Sequence, residues 1–96
     1  MYASLIMLTI GPGMRSTGEE LANQFTPVLK SMKGFKGVTF FADVEVGEYG
    51  SFSIWESKED AEAAAATTGP RLEQAVSGIV KEQPTRRFFE VYEPKA

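Results

Sequence analysis

The side chains that could carry chemistry in this 96-residue chain are one tryptophan and a few tyrosines and arginines. Trp55 could stack on a flat ligand, because its ring offers a large apolar surface and one N–H donor. Tyrosine hydroxyls could donate a proton to a bound oxyanion, and guanidinium groups could hold an anion. These candidates are Tyr2, Tyr49, Tyr92, Arg71, Arg86 and Arg87. The structural alternatives are a packing role for Trp55 and the tyrosines, and solvated surface charge for the arginines.

The residues that the chain lacks limit the chemistry further. It has no cysteine, which excludes disulfides, thiolate nucleophiles and cysteine metal sites. It has no histidine, which removes the commonest metal ligand and the usual general base near neutral pH. Asp43, Glu45 and Glu48 have no clustered partner that would indicate a metal site. We therefore predict no catalytic metal and no cofactor, and the sequence does not identify a catalytic group.

Composition and charge define the class of protein. Hydrophobic residues make up 43% and charged residues 24% of the chain, as in ordinary globular proteins, and the length predicts a single domain over residues 1–96. The net charge of −3 and the scattered Lys and Arg residues argue against a nucleic-acid partner. No segment approaches the roughly 20 apolar residues of a membrane helix, and no secretory leader is visible. We therefore expect a cytoplasmic protein without a membrane partner.

The first half of the chain predicts a strand, a helix and a second strand. Residues 2–10 are apolar at both alternating positions, which indicates a strand buried on both faces. Ser16 or Thr17 is expected to cap a helix, because Glu19 and Glu20 follow at capping-box spacing. Pro27 is expected to kink this helix or to leave one carbonyl unpaired. The apolar stripe of the helix is Leu21, Phe25, Val28, Leu29 and Met32.

The second half predicts a hairpin, a helix and a last strand. Strands over residues 38–46 and 51–56 flank a Gly47–Gly50 connection. Ser57 is a good N-cap for a second helix, with Asp60 three residues on. Pro70 predicts that this helix is divided into two pieces. Its apolar stripe is Ala61, Ala65, Thr68, Leu72, Val76 and Ile79, and a strand over residues 85–92 follows.

The order of these elements predicts an α+β fold. A βαββαβ chain with right-handed crossovers gives a ferredoxin-like antiparallel sheet with two helices on one face. Because the strands are apolar on both faces, we expect a second copy of the chain to cover the other face, as a homodimer. The alternative is a monomer on which Phe41 and Phe88 are ordinary surface aromatics.

One segment of the sequence resembles a known family. Gly34-Phe35-Lys36-Gly37 followed by a strand, and then the segment Ser53 to Ala61 leading into a helix, resemble the antibiotic biosynthesis monooxygenase family of dimeric α+β barrels. The resemblance implies a pocket between sheet and helices in each subunit. Some members oxidise aromatic polyketides with molecular oxygen and no cofactor, whereas others degrade haem. Trp55 matches the Trp that ends the third strand in the family.

Other positions differ from the family pattern. Quinone-forming members carry an Asn four residues before that Trp and a Tyr six residues after it, where this chain has Ser51 and Ala61. They also carry an Arg further along the helix, and the nearest Arg here is Arg71. Haem-degrading members place a His on the second helix, and this chain has none. We therefore expect no haem held by an axial side chain.

Together these observations predict a ligand cavity and a function. The cavity is expected between Trp55, Phe25 on the first helix, and Ala65 and Leu72 on the second helix, with Arg71 nearby. The resemblance implies a cofactor-independent monooxygenase-like protein for a small aromatic or polyketide-type substrate. The alternative is a non-catalytic module of the same fold that binds a small apolar ligand or only associates. An RNA-binding protein of the same element order is a third interpretation, which the acidic charge opposes.

Overall fold

Four strands and two helices make up residues 1–94, the part of the chain that the computed structural model describes. They are β1 (Tyr2–Thr9), α1 (Arg15–Lys30), β2 (Phe35–Asp43), β3 (Glu48–Trp55), α2 (Lys58–Val76) and β4 (Glu82–Glu90). The strands form one antiparallel sheet in the order β2-β3-β1-β4. The predicted ferredoxin-like βαββαβ fold is therefore confirmed.

The core lies between one face of the sheet and the two helices, in two clusters. Leu8, Ile10 and Val76 form the first cluster, at the end of the sheet where β3 begins. Trp55 and Ala61 belong to the second, where β3 ends and α2 begins. The register fixes which side chains share this face, because residues directly opposite each other in neighbouring strands point the same way. In β1 and β3 these pairs are Tyr2 with Trp55, Ser4 with Ser53, Ile6 with Ser51 and Leu8 with Tyr49.

Helix α1 begins earlier than its capping pattern predicts. Its first residue is Arg15 and its N-cap is Met14, which makes no side-chain capping bond, so the predicted caps at Ser16 and Thr17 are wrong. Met14 is half-buried and packs against the Leu8 cluster. Tertiary packing of this side chain fixes the start of the helix, and it overrides a capping contribution of about 1 kcal/mol. The helix continues past Pro27 to Lys30.

The hairpin between β2 and β3 turns sooner than predicted. Strand β2 ends at Asp43, three residues before the expected end, and residues 44–47 form the turn. The Asp43 carboxylate accepts a bond from the Val46 N–H at 3.4 Å, and its carbonyl accepts one from the Gly47 N–H at 2.8 Å. Gly47 has a φ of 83°, which a residue without Cβ adopts at little cost. Tyr49 is therefore a strand residue and not part of the turn.

Helix α2 is continuous from Lys58 to Val76, so the predicted division at Pro70 is wrong. One buried face runs through the proline, comprising Ala61, Ala64, Thr68 and Val76. Burial of this face holds both halves on the same axis, and the carbonyl that loses its partner belongs to Ala66, an exposed residue. The predicted Ser57 cap is confirmed, because its hydroxyl accepts a bond from the Asp60 N–H at 3.2 Å.

Strand β4 begins three residues before its predicted start. It includes Pro84, which an edge strand tolerates because only one side of it is paired. The pairing of β4 with β1 shifts register between Met7 and Thr9, next to this part of the strand.

The sheet face that points away from the helices is apolar and uncovered. Phe52 pairs with Leu5 in a row across this face, and Phe41 pairs with Gly50 in the next row. Phe41 is 42% exposed and Phe52 36% exposed. A patch of this kind on a small protein usually marks an interaction surface. No helix among residues 1–94 is long and apolar enough to cross a membrane.

Candidate functional site

A cavity lies between the helix-facing side of the sheet and the two helices. Its cavity volume is about 90 Å³, and the space not filled by atoms is about 650 Å³ when the solvent at its mouth is included. Its walls are mostly apolar and come from β1, α1, β2 and α2, with Ile6, Leu8, Leu21, Phe25, Phe40 and Leu72 among them. A concave apolar site with a few polar groups is the usual form of a small-molecule site.

A small number of polar side chains reach this apolar wall. Thr68 donates its hydroxyl hydrogen to the Ala64 carbonyl at 2.8 Å, a bond within α2 that leaves the helix backbone intact. Tyr49, Ser51 and Arg86 line the sheet side of the cavity. Of these, Tyr49 and Arg86 carry the groups with the clearest chemical consequence.

The Tyr49 hydroxyl is buried and has no hydrogen-bond partner in the described residues. Leaving a buried polar group unpaired costs about 1–3 kcal/mol. The ring itself is held firmly, because it packs against the Leu8, Ile10 and Val76 cluster. Tyr49 also lines the cavity, and its hydroxyl is a buried donor without a partner.

The chain makes specific room for the Tyr49 ring. Gly18 lies inside α1, and a Cβ at this position would overlap the ring of Tyr49. A glycine in a helix interior costs about 1 kcal/mol relative to alanine. The close approach of helix and ring therefore explains the glycine.

Arg86 is the charged residue of the cavity wall. It lies on β4 opposite Ile6 and is half-buried, and its Nη1–H donates to the Ser4 hydroxyl at 3.0 Å. Burial lowers the pKa of the Arg86 guanidinium from its ordinary value, because desolvation penalises the charged form. Arginine stays protonated despite such a shift. Within residues 1–94 the ion pairs are Arg15 with Glu19 and Lys36 with Glu56, so Arg86 has no carboxylate partner there.

Trp55 does not line this cavity. Its side chain is 1% exposed and lies in the second core cluster, where it packs edge-to-face on Phe35 with ring centroids 5.5 Å apart. Its Nε1–H donates to the Ser53 hydroxyl at 2.9 Å. The structure therefore places Trp55 as a packing anchor between the end of β3 and the start of α2, which is the structural alternative stated for it.

The other sequence-predicted site residues divide between the cavity and the surface. Phe25 and Leu72 line the cavity from α1 and α2. Ala65 does not; the buried alanines of α2 are Ala61 and Ala64. Arg71 is exposed and lies in an open groove between the outer sides of the two helices.

The alternation of side chains in β3 indicates that Tyr49 faces the helices, but this depends on where the hairpin turns. Tyr49 is at an alternating position with Ser51, Ser53 and Trp55, so a strand that starts at Glu48 puts its ring on the helix side. A turn over residues 47–50, as predicted from the sequence, does not assign the Tyr49 ring to either face of the sheet. For Arg86 the signal is weaker, because its place on the helix side depends on the register of β4 with β1.

The comparison with protein families agrees with the fold. The family model of antibiotic biosynthesis monooxygenases matches residues 1–71. The chain belongs to this family. The resemblance carried by the segment around Trp55 is thereby confirmed. Comparison with proteins of curated function gives no significant match.

Solved structures with the same fold include three that cover nearly all of the chain. A protein of unknown function from Nitrosomonas europaea, NE2512, is 14% identical with a TM-score of 0.81, over 99% of this chain and 92% of that one. A monooxygenase from the gene ActVA-Orf6 of Streptomyces coelicolor, in complex with nanaomycin D, is 18% identical with a TM-score of 0.78, over 99% and 90%. A mutant of SnoaB, a cofactor-independent oxygenase from Streptomyces nogalater, is 14% identical with a TM-score of 0.77, over 97% and 94%. These likenesses show the shared fold.

Proposed function

We propose that this protein is a cofactor-independent monooxygenase that acts on a small aromatic, polyketide-type substrate in the cavity between the sheet and the helices. The observation that carries the proposal is the buried, unpartnered Tyr49 hydroxyl in a mostly apolar site. Membership of the antibiotic biosynthesis monooxygenase family supports it. The description of SnoaB as a cofactor-independent oxygenase and the nanaomycin D complex of the Streptomyces coelicolor protein point to the same class of reaction.

The reaction needs no reductant other than the substrate. A ring CH₂ group next to a phenol or carbonyl loses a proton, and the resulting anion donates electrons to molecular oxygen. A C–O bond forms at that carbon, both C–H bonds break, and the O–O bond breaks. One oxygen atom becomes a quinone-type carbonyl, and the other leaves as water with the two hydrogens of the CH₂ group. Atoms and electrons therefore balance as CH₂ + O₂ → C=O + H₂O.

The residues of the cavity contribute binding and charge stabilisation to this reaction. The apolar walls around Phe25 and Leu72 hold an aromatic ring and exclude water, which strengthens electrostatic interactions inside. The Tyr49 hydroxyl donates a hydrogen bond to the oxygen of the substrate anion as negative charge develops there. A preorganised donor of this kind is typically worth a factor of about 10²–10³ in rate.

We also propose that the protein is a homodimer in which the two uncovered sheet faces meet. The support is the exposure of Phe41 and Phe52 on the sheet face that no helix covers. A second copy of the chain has the same apolar face, and a two-fold axis brings the two faces together without leaving an unpaired surface.

Oxygen uptake tests the proposed activity. Purified protein, treated with a chelator and supplied with a hydroxylated anthrone, is expected to consume oxygen in equal molar amount to the quinone formed, well above the rate of spontaneous oxidation. Tyr49→Phe is expected to lower this rate, and Tyr92→Phe, a change at an exposed tyrosine, is the matched control. A ligand that binds in the cavity without oxygen uptake above the spontaneous rate contradicts the activity and favours the non-catalytic binding module.

A further inference from the structure

We propose that Arg86, held by Ser4, recognises an ionised oxygen on the ligand, so that the cavity selects acidic phenols or enols over neutral aromatic molecules of the same shape. The proposal uses the cavity of the proposed function, but it concerns recognition and does not depend on oxygen chemistry. Among the described residues that line the cavity, Arg86 is the charged one, and the rest are apolar or neutral.

The register of the sheet brings Arg86 and Tyr49 to the cavity from opposite sides of β1. Arg86 pairs with Ile6, and Tyr49 pairs with Leu8, so all four side chains lie on the helix-facing side. Neighbouring strands are about 4.8 Å apart, which separates β4 from β3 by about 10 Å across β1. A single aromatic ring that lies over Ile6 and Leu8 is therefore flanked by a guanidinium group on one side and a phenol hydroxyl on the other.

The contacts of Arg86 leave most of its hydrogen-bonding capacity unused. A guanidinium group has five N–H donors, and Ser4 accepts a bond from one of its terminal nitrogens, at 3.0 Å. Ser4 is itself only 2% exposed, and its carbonyl lies 3.5 Å from the hydroxyl of Ser53. Ser4 therefore fixes the direction of the guanidinium group, and the other donors remain for a ligand.

The charge of Arg86 is also uncompensated where an anion would bind. No carboxylate among residues 1–94 forms an ion pair with it. Burial lowers the pKa of the Arg86 guanidinium, and no neighbouring acid counteracts this by stabilising its charged form. A ligand oxyanion supplies the missing negative charge, and a charge-assisted hydrogen bond to it is stronger than one between neutral groups.

The other arginines that the sequence proposed for anion binding lie elsewhere. Arg87 projects from the opposite face of the sheet, where its guanidinium carbon is 4.8 Å from the centre of the Phe89 ring. Arg71 is exposed on the outer side of α2. The structure therefore assigns the anion to Arg86 and supplies Arg87 as a control of the same type, at the neighbouring position.

Binding of a coloured phenol tests this inference. 4-Nitrophenol has one ring and an ionisable oxygen, and its anion absorbs visible light, whereas 4-nitroanisole has the same shape but cannot ionise. We expect Arg86→Gln to bind 4-nitrophenol about 10- to 100-fold more weakly than the native protein, the range for losing a hydrogen bond to a charged group. Binding of 4-nitroanisole should be unchanged. The bound phenol should titrate at a lower pH on the native protein than on Arg86→Gln, which a purely structural role for Arg86 would not produce.

Arg87→Gln removes the same charge from the other face and should bind 4-nitrophenol like the native protein. If Arg86→Gln does not fold, Arg86→Lys keeps the charge and should still prefer 4-nitrophenol to 4-nitroanisole, but with a smaller ratio. Equal affinity of the native protein for the two molecules, or binding of neither, overturns the inference. Selective binding of the phenol without oxygen uptake supports the inference and contradicts only the proposed activity.

Discussion

Replacement of Tyr49 by phenylalanine is expected to make the protein more stable and less active. The Tyr49 hydroxyl is buried without a partner, and such a group costs about 1–3 kcal/mol relative to an apolar replacement. Tyr49→Phe keeps the ring that packs against Leu8, Ile10 and Val76, so its packing is retained. We expect the free energy of unfolding to rise by about 1 kcal/mol, the lower end of that range.

Urea and thermal denaturation measure the change in stability, and oxygen uptake measures the change in activity. For a domain of this size, 1 kcal/mol corresponds to a Tm increase of about 4–8 °C. The comparison is made at one protein concentration, because the stability of a dimer depends on it. The rate of oxygen uptake should fall by about 10²–10³, the usual effect of removing one donor to an oxyanion. Tyr92→Phe, at an exposed tyrosine, should change neither quantity.

The result that refutes this reasoning is equally specific. If Tyr49→Phe lowers the free energy of unfolding by 1 kcal/mol or more, roughly the net value of one intact hydrogen bond, the hydroxyl is satisfied in the native state. If stability rises but oxygen uptake is unchanged, the hydroxyl is unpaired but has no role in the reaction.

Four further predictions concern packing, association and cofactor binding. Gly18→Ala should lower the urea midpoint, because the added Cβ overlaps the Tyr49 ring and overpacking costs about 1–3 kcal/mol. Gly69→Ala, in α2 with open space around it, should raise the midpoint. A rise for both variants would show that Gly18 is not needed to make room for the ring. Trp55→Ala should lower the free energy of unfolding, measured in urea, by about 3–5 kcal/mol. Trp55→Phe should leave the affinity for 4-nitrophenol within about twofold, well below the tenfold that 1.4 kcal/mol represents. Sedimentation at micromolar concentration should give about twice the 10.5 kDa chain mass, and Phe52→Lys should give the monomer; a monomeric native protein excludes the dimer. Added haem should give no stoichiometric Soret shift, since the chain has no His or Cys ligand, and such a shift would indicate a haem-degrading protein.

The order of elements could be predicted from the sequence because it depends on local patterns. The Ser57 cap, the turns rich in glycine and the alternating strands each follow from a few neighbouring residues. The ends of the elements depend on contacts that are distant in sequence or on details of turn geometry. Met14 packing fixes the start of α1, the Asp43 side chain ends β2, and the buried face of α2 keeps that helix continuous through Pro70.

The candidate site could be predicted only in part. The apolar stripes of the two helices contain Phe25 and Leu72, which line the cavity because they face the sheet. The size of Trp55 and its family position predict that it lines the cavity, but its ring packs on Phe35 and on α2 at the other end of the sheet. Arg86 enters the site through the pairing of β4 with β1, residues about 80 positions apart, which no local pattern specifies.

A crystal structure of the protein with bound 4-nitrophenol tests the central claim most directly. We predict that the ring lies over Ile6 and Leu8, with the phenolate oxygen about 3 Å from a nitrogen of Arg86. A ligand bound in the groove beside Arg71, or on the sheet face with Phe41 and Phe52, with the cavity empty, would contradict it.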